Sequence, residues 1–185
     1  MLFRSVSAST GALLLPHLPA SVRPDLLLAC AGMFGISLVA AALVIGRLWG
    51  RLTTHGIGPA RTVPTLWIVL GPVGQSITAA HLMAGARHGQ AALLYGVPAL
   101  GFALFWIALA AALTVRTART GLPFSLTWWS FTFPVGTVVT GTSGLAARTG
   151  SPSLTVLAVL LFAGLAAAWA TVAVRTARGV ATGTL

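Results

Sequence analysis

Charged side chains and cysteines are scarce in this chain. Its 185 residues include no lysine and no glutamate, one aspartate, Asp25, and one cysteine, Cys30. A single cysteine excludes a disulfide framework and any metal site built from several thiolates, because both need several cysteines at defined spacing. Only 6% of the residues are charged, against roughly a quarter in an ordinary soluble domain, so the composition excludes a soluble globular protein.

The positive charge is spread along the chain. Hydrophobic residues make up 57% of the sequence, and arginine supplies all 11 basic side chains, which gives a net charge of +10. Nucleic-acid binding needs basic side chains that cluster in one run or on one face. These arginines occur singly between apolar stretches, so no nucleic-acid partner is predicted.

Long uncharged stretches separate the charged residues. Five of them contain between 21 and 28 residues, and a helix needs about 20 apolar residues to cross the roughly 30 Å hydrocarbon core of a bilayer. The stretches are continuous, whereas the strands of a membrane barrel alternate over about ten residues. They predict an all-α membrane protein with five transmembrane helices, whose apolar cores are residues 26–45, 63–84, 91–115, 126–147 and 154–174.

The arginines are divided unequally between the two ends of these helices. Cytoplasmic loops retain positive side chains, so the end with more arginines, which carries the C-terminus, is predicted to be cytoplasmic. That end holds seven arginines, Arg47, Arg51, Arg61, Arg116, Arg119, Arg175 and Arg178, and the other holds four, Arg4, Arg23, Arg87 and Arg148.

Residues 1–24 precede the predicted five-helix domain of residues 25–185, and two interpretations of them stay open. Residues 1–20 loosely resemble a signal peptide, but their apolar stretch is short and interrupted. In the favoured interpretation, residues 6–15 are the tail of a preceding transmembrane helix, and residues 16–19 form an external turn.

Two of the predicted spans contain a proline beside glycine and hydroxyl residues. These prolines are Pro72 in the second span and Pro134 in the fourth. Proline removes one backbone donor and strains the preceding turn, so both helices are predicted to be kinked. Lipid offers no partner to a freed carbonyl, so the kinks should lie against protein or water.

Small and polar side chains share one face of each of these two spans. The fourth-span face is polar apart from Phe133, which suggests a narrow polar pathway that an aromatic ring interrupts, since a hydrophobic constriction can gate by excluding water. The alternative, which composition alone favours, is helix packing. The faces contain Gly71, Gln75 and Thr78 in the second span and Ser130, Phe133, Thr137, Thr140 and Gly144 in the fourth.

Both spans resemble signatures of one known family. Residues 128–134, WWSFTFP, resemble the Trp-Trp-x-aromatic-Thr-Phe-Pro stretch on the ninth helix of the tellurite-resistance/dicarboxylate transporter family. That family includes plant slow anion channels and fungal malate and sulfite transporters. Residues 71–76, GPVGQS, resemble its seventh-helix stretch. Family members have ten helices, and the odd-numbered, proline-kinked helices line a pore that a phenylalanine on the ninth helix occludes.

The resemblance implies that the chain corresponds to helices six to ten, after the tail of the fifth, with Phe133 as the gate. It also suggests a homotrimer of separately conducting protomers. Helices one to four would supply the other pore walls, so we expect either a longer coding sequence or a partner chain. The implied pore lining is Gly71, Gln75, Thr78, Ser130, Gly136, Thr137 and Thr140.

Two functional hypotheses follow. The first is transport of small anions across the plasma membrane, with dicarboxylates such as malate, sulfite, tellurite, chloride and nitrate as candidates and no cofactor. Proton relays and cation sites inside membranes normally use Asp or Glu, and no predicted span contains either. The second hypothesis is a non-conducting membrane module that packs against a partner.

Catalysis and metal binding are not predicted. Residues 141–144, GTSG, match the Gly-x-Ser-Gly pattern of rhomboid proteases, whose base histidine comes from a later helix, but every histidine here precedes Ser143. His81, near the outer end of the second span, is predicted to be a hydrogen-bonded or interfacial side chain. No two histidines have the paired i, i+4 spacing of a zinc site.

Overall fold

The computed structural model describes residues 10–85 and 89–183, and every regular element in these two ranges is helical. The predicted all-α class is confirmed. Two of the helices follow a stretch of 3₁₀ helix: the first 3₁₀ segment is Ala60–Val69 and the second is Leu126–Phe131. The five long helices are α1 (Arg23–His55), α2 (Leu70–Ala84), α3 (Gly89–Gly121), α4 (Thr132–Thr149) and α5 (Pro152–Ala181).

Four helical stretches in the described residues are long and apolar enough to cross a membrane, namely Arg23–His55, Ala60–Ala84, Gly89–Gly121 and Pro152–Ala181. The predicted fourth span, which contains α4, is not among them. α4 is rich in threonine and glycine and packs against α2, α3 and α5. A helix enclosed by other helices needs fewer apolar side chains than one that faces lipid, which accounts for its lower hydropathy. The chain is a multi-pass membrane protein.

The chain before α1 is described from residue 10 onward. Residues 10–14 are helical, and a single 3₁₀ turn, Leu15–His17, follows them where the external turn was predicted. Residues 6–9 of the predicted helix tail lie outside the described residues, as do Arg4, Arg87 and His88.

The turn between α4 and α5 follows directly from its sequence. Gly150 has a positive φ of 65°, which glycine adopts without strain, and its N–H donates to the Ala146 carbonyl at 2.8 Å. The Ser151 hydroxyl accepts from the Leu154 N–H at 3.4 Å, and Pro152 occupies the first turn of α5. A serine cap followed by proline is a typical helix start.

The second predicted span lies at the centre of the bundle. Half of the apolar 18-residue stretch in Ala60–Ala84 is buried inside the protein, against 11% of the corresponding stretch in α5. Large apolar side chains on the outer helices, such as Leu28 on α1 and Leu160 on α5, are exposed. The outer helices therefore present an apolar surface suited to lipid around a more polar centre.

α2 and α4 run in the same direction and approach each other very closely at Gly74. A Cβ atom on Gly74 would lie 2.5 Å from the carbonyl carbon of Thr137 and 2.5 Å from the amide nitrogen of Val138. On the facing helix, a Cβ atom on Gly141 would lie 3.1 Å from the Gly74 carbonyl oxygen. Small residues permit such contact between the backbones of membrane helices.

Arg148 ties the ends of α2 and α4 together. Its Nε donates to His81 Nδ1 at 2.9 Å, its Nη2 to the His81 carbonyl at 3.0 Å, and its Nη1 to the Gly85 carbonyl at 2.9 Å. The guanidinium therefore caps carbonyls at the C-terminal end of α2, where a positive charge is favoured. Because His81 Nδ1 accepts a hydrogen bond, the imidazole is the neutral tautomer protonated at Nε2.

The substitution Gly74→Ala is expected to destabilise the bundle by about 1–3 kcal/mol, the usual cost of overpacking, because the new methyl meets backbone that cannot move aside. The matched control is Gly101→Ala on α3, where a Cβ atom has no heavy atom within 4 Å. Unfolding of each variant in mixed micelles by increasing dodecyl sulfate measures the difference. Equal stability of the two variants would contradict the close contact of α2 and α4.

The substitution Arg148→Gln is expected to lower the free energy of unfolding by about 1.5–3 kcal/mol, because charged hydrogen bonds to α2 are lost. Arg148→Lys should fail to restore it, since an ammonium cannot reproduce the planar fork of a guanidinium. Arg119→Gln, at the exposed end of α3, is the control in the same titration. A loss no larger than that of the control would refute the tie.

Candidate functional site

The two proline-containing spans share one local design. Pro72 is the third residue of α2 and Pro134 the third residue of α4, and each helix follows a 3₁₀ segment. Proline in the first turn of an α-helix removes a donor that has no partner within that helix, so the fold accommodates both prolines there. Each proline predicted to kink a span thus lies just after the point where a 3₁₀ helix changes to an α-helix.

Side-chain donors satisfy carbonyls along the first 3₁₀ segment. The Ser130 hydroxyl donates to the Pro64 carbonyl at 2.8 Å, and the Trp106 indole donates to the Leu66 carbonyl at 2.9 Å. The Thr127 hydroxyl donates to the Arg61 carbonyl at 3.2 Å. Ser130, a predicted pore-lining residue, therefore bonds backbone where the two 3₁₀ segments meet.

Trp106 was not singled out from the sequence. It is fully buried on α3, and its ring packs beside those of Trp49 and Phe102. A tryptophan in the middle of an apolar span, away from the headgroup level, was the available signal, because a buried indole N–H needs an acceptor.

Two predicted lining residues, Thr137 and Gly71, lie in the contact between α2 and α4. Thr137 Oγ1 lies 3.2 Å from the Gly71 carbonyl oxygen and 2.7 Å from that of Pro134. Gly71 and Gln75 are also buried. At this contact, small and hydroxyl side chains allow the helices to pack and satisfy backbone acceptors, as in the packing alternative.

The other predicted residues lie at or near the edge of this contact. Phe133 is 47% exposed, and Thr140, seven residues later, is exposed on the same side of α4. The Thr140 hydroxyl lies 3.4 Å from the Thr78 hydroxyl of α2. We call Phe133, Thr140 and Thr78 the Phe133 stripe. Gly136 lies towards α5, because a Cβ atom on it would lie 3.8 Å from Cδ2 of Leu165.

One end of the bundle gathers most of the arginines. The Trp67 indole donates to Thr114 at 3.2 Å, and the Trp129 indole donates to Thr176 at 3.1 Å, so both 3₁₀ segments meet the ends of α3 and α5. This is the end that carries Arg61 and six other arginines, whereas Asp25 starts α1 at the opposite end. The resulting positive field attracts anions.

Comparison of the sequence with known proteins shows its family. The family model described as voltage-dependent anion channel matches residues 5–177. An uncharacterised transporter of Methanocaldococcus jannaschii is 26% identical over 137 residues, which cover 71% of this chain and 40% of the relative. A sulfite efflux pump of Trichophyton rubrum is 24% identical over 148 residues, which cover 71% of this chain and 39% of the relative.

A second uncharacterised transporter of Methanocaldococcus jannaschii is 27% identical over 134 residues, 70% of this chain and 39% of the relative. The chain thus spans about two fifths of the length of the curated relatives it matches. No solved structure matches it significantly. The family resemblance predicted from residues 128–134 is confirmed, and the chain belongs to the voltage-dependent anion channel family, a family of anion-transporting membrane proteins.

Proposed function

We propose that α2 and α4 form one wall of a pathway for small anions and that Phe133 is the plug of this pathway. The Phe133 stripe is the observation that carries the proposal. In it, a half-exposed aromatic ring lies on the same side of α4 as Thr140, whose hydroxyl is 3.4 Å from that of Thr78, and α4 packs against α2, α3 and α5. An apolar side chain at a constriction can block permeation by excluding water.

The predicted lining residues divide into two roles in this proposal. Thr78 and Thr140 place hydroxyls at the exposed edge, where they donate to the Gly74 carbonyl at 3.3 Å and the Thr137 carbonyl at 2.9 Å. Rotation of either hydroxyl would turn its donor towards an anion, and a neutral donor suits an anion that must bind weakly enough to leave. Ser130 and Thr137 lie near backbone carbonyls, so they hold the shape of the wall together with Gly71 and Gln75. Gly136 lies towards α5 and stays a predicted lining residue without a separate role.

Electrostatics favour anions over cations. No predicted span contains Asp or Glu, and seven arginines lie at the end that carries the C-terminus. The candidate substrates are sulfite, malate and other dicarboxylates, tellurite, chloride and nitrate. Sulfite is the first to test, because relatives from three fungi are sulfite efflux pumps.

We also propose the assembly in which this wall works. The remaining walls come from a further segment or a partner chain, since the relatives are about two and a half times as long as the matched region. The assembly is a homotrimer in the plasma membrane with the C-terminus in the cytoplasm. In the competing proposal the chain is a non-conducting half. The same length difference favours this proposal if no further segment joins the chain.

The substitution Phe133→Ala is expected to raise sulfite leak from proteoliposomes about tenfold, as ~1.4 kcal/mol is removed from the barrier. Phe162→Ala is the matched control, because Phe162 on α5 is 60% exposed and lies outside the stripe. Parallel assays with malate, chloride, nitrate and potassium separate anion selectivity from general leak. Leak equal to that of the control would remove Phe133 as the plug, and a potassium leak as large as the sulfite leak would contradict anion selectivity.

The mass of the native polypeptide tests where the other walls come from. An antibody against the C-terminal tail, followed by intact mass spectrometry, is expected to find a species near twice 18.9 kDa. The reason is that 137 matched residues are 40% of a relative, which therefore has about 340 residues against the 185 here. A species of 18.9 kDa that conducts no anion, with or without Phe133→Ala, would instead establish the non-conducting half.

A further inference from the structure

An apolar cavity lies between α3, α5 and the two 3₁₀ segments. Its volume is about 380 Å³, and its wall includes Trp67, Ile107, Phe131, Leu160 and Val172. The two threonines that line it are internally satisfied: Thr114 donates to the Ala110 carbonyl at 2.7 Å and Thr171 to the Ala167 carbonyl at 2.8 Å. A cavity with so few polar groups does not hold water well, so its occupant should be hydrocarbon.

The length of the cavity suits an acyl chain. Its wall on α5 runs from Leu160 to Val172, a rise of roughly 18 Å along the helix axis. The hydrocarbon core of a bilayer is roughly 30 Å thick, so one leaflet is about 15 Å deep. The cavity therefore extends over about one leaflet.

A positive charge stands at one end of this cavity. The Arg175 guanidinium carbon lies 5.5 Å from the centre of the Trp128 ring, and Trp128 lines the cavity. Arg175 is one helical turn beyond Thr171, which also lines it. Tryptophan is common at the headgroup level, and a guanidinium matches the geometry of a phosphate.

The cavity lies on the side of α4 away from the proposed anion pathway. Val135 lines the cavity and is two residues from Phe133, which corresponds to a rotation of roughly 200° about the helix axis. The remaining walls of the proposed pathway would pack on the Phe133 side of α4. They would therefore not cover this cavity, which stays open to the bilayer.

We propose that this cavity binds one acyl chain of an anionic phospholipid from the leaflet at the Arg175 end, and that Arg175 holds its phosphate. The charge of the site selects an anionic lipid: Arg175 is at the mouth, and Arg61, Arg116, Arg119 and Arg178 belong to the same end of the bundle. The Arg175–Trp128 contact is suited to holding the guanidinium at the cavity mouth.

The first test fills the cavity. Gly164 lines it, and a Cβ atom at Gly164 has no heavy atom within 4 Å, so Gly164→Leu should occupy the space without a clash at Cβ. Gly101→Leu on α3 is the matched control, because its Cβ position is equally open and outside the cavity lining. The native polypeptide is reconstituted in equal phosphatidylglycerol and phosphatidylcholine, extracted into detergent and examined by native mass spectrometry.

We expect the wild type and Gly101→Leu to retain phosphatidylglycerol and Gly164→Leu to retain about tenfold less. Arg175→Gln should keep a bound lipid but lose the preference for phosphatidylglycerol over phosphatidylcholine, whereas Arg119→Gln should keep that preference. Equal retention by the two leucine variants would overturn the proposal, as would a wild type that retains no lipid. A Gly164→Leu variant that keeps its lipid but no longer self-associates would overturn it too, because a second copy of this chain would then be the occupant of the cavity.

Discussion

The structure depends on one constraint, which is that backbone donors and acceptors in hydrocarbon must find partners within the protein. α1, α3 and α5 meet it as long helices with few breaks. The spans of α2 and α4 cannot meet it with α-helical hydrogen bonds alone, because each contains a 3₁₀ segment and then a proline. Ser130, Trp106 and Thr127 supply donors to the first 3₁₀ segment, and the span that contains this segment lies at the centre of the bundle, away from lipid.

The close approach of α2 and α4 follows from the same constraint. Gly74 has no side chain, so the backbone of Thr137 comes near enough for the Thr137 hydroxyl to reach carbonyl oxygens of α2. Arg148 then fixes the far ends of the two helices. A wall fixed at these two levels can hold the exposed ring of Phe133 in a defined position, which the proposed plug requires.

α4 separates two different surroundings. One side presents the Phe133 stripe, where hydroxyls and an aromatic ring suit an anion pathway, and the other side faces the apolar cavity beside α5. The arginine-rich end serves both proposals, since the same positive charge attracts permeant anions and lipid phosphates. The proposed lipid cavity and the proposed anion pathway past Phe133 therefore lie on opposite faces of α4.

The all-α class, the positions of the helices and the family could be predicted from the sequence, because continuous apolar length and the run at residues 128–134 are local properties. Which side chains of the polar faces are enclosed depends on how the helices pack: Thr137 is buried against α2, whereas Thr140 is exposed. Packing also brings Arg148 to His81, 67 residues away, and leaves a cavity between α3 and α5. Helical periodicity gives the side chains that share a face, but the rotation of each helix and the distance to its neighbour depend on packing between segments far apart in the chain.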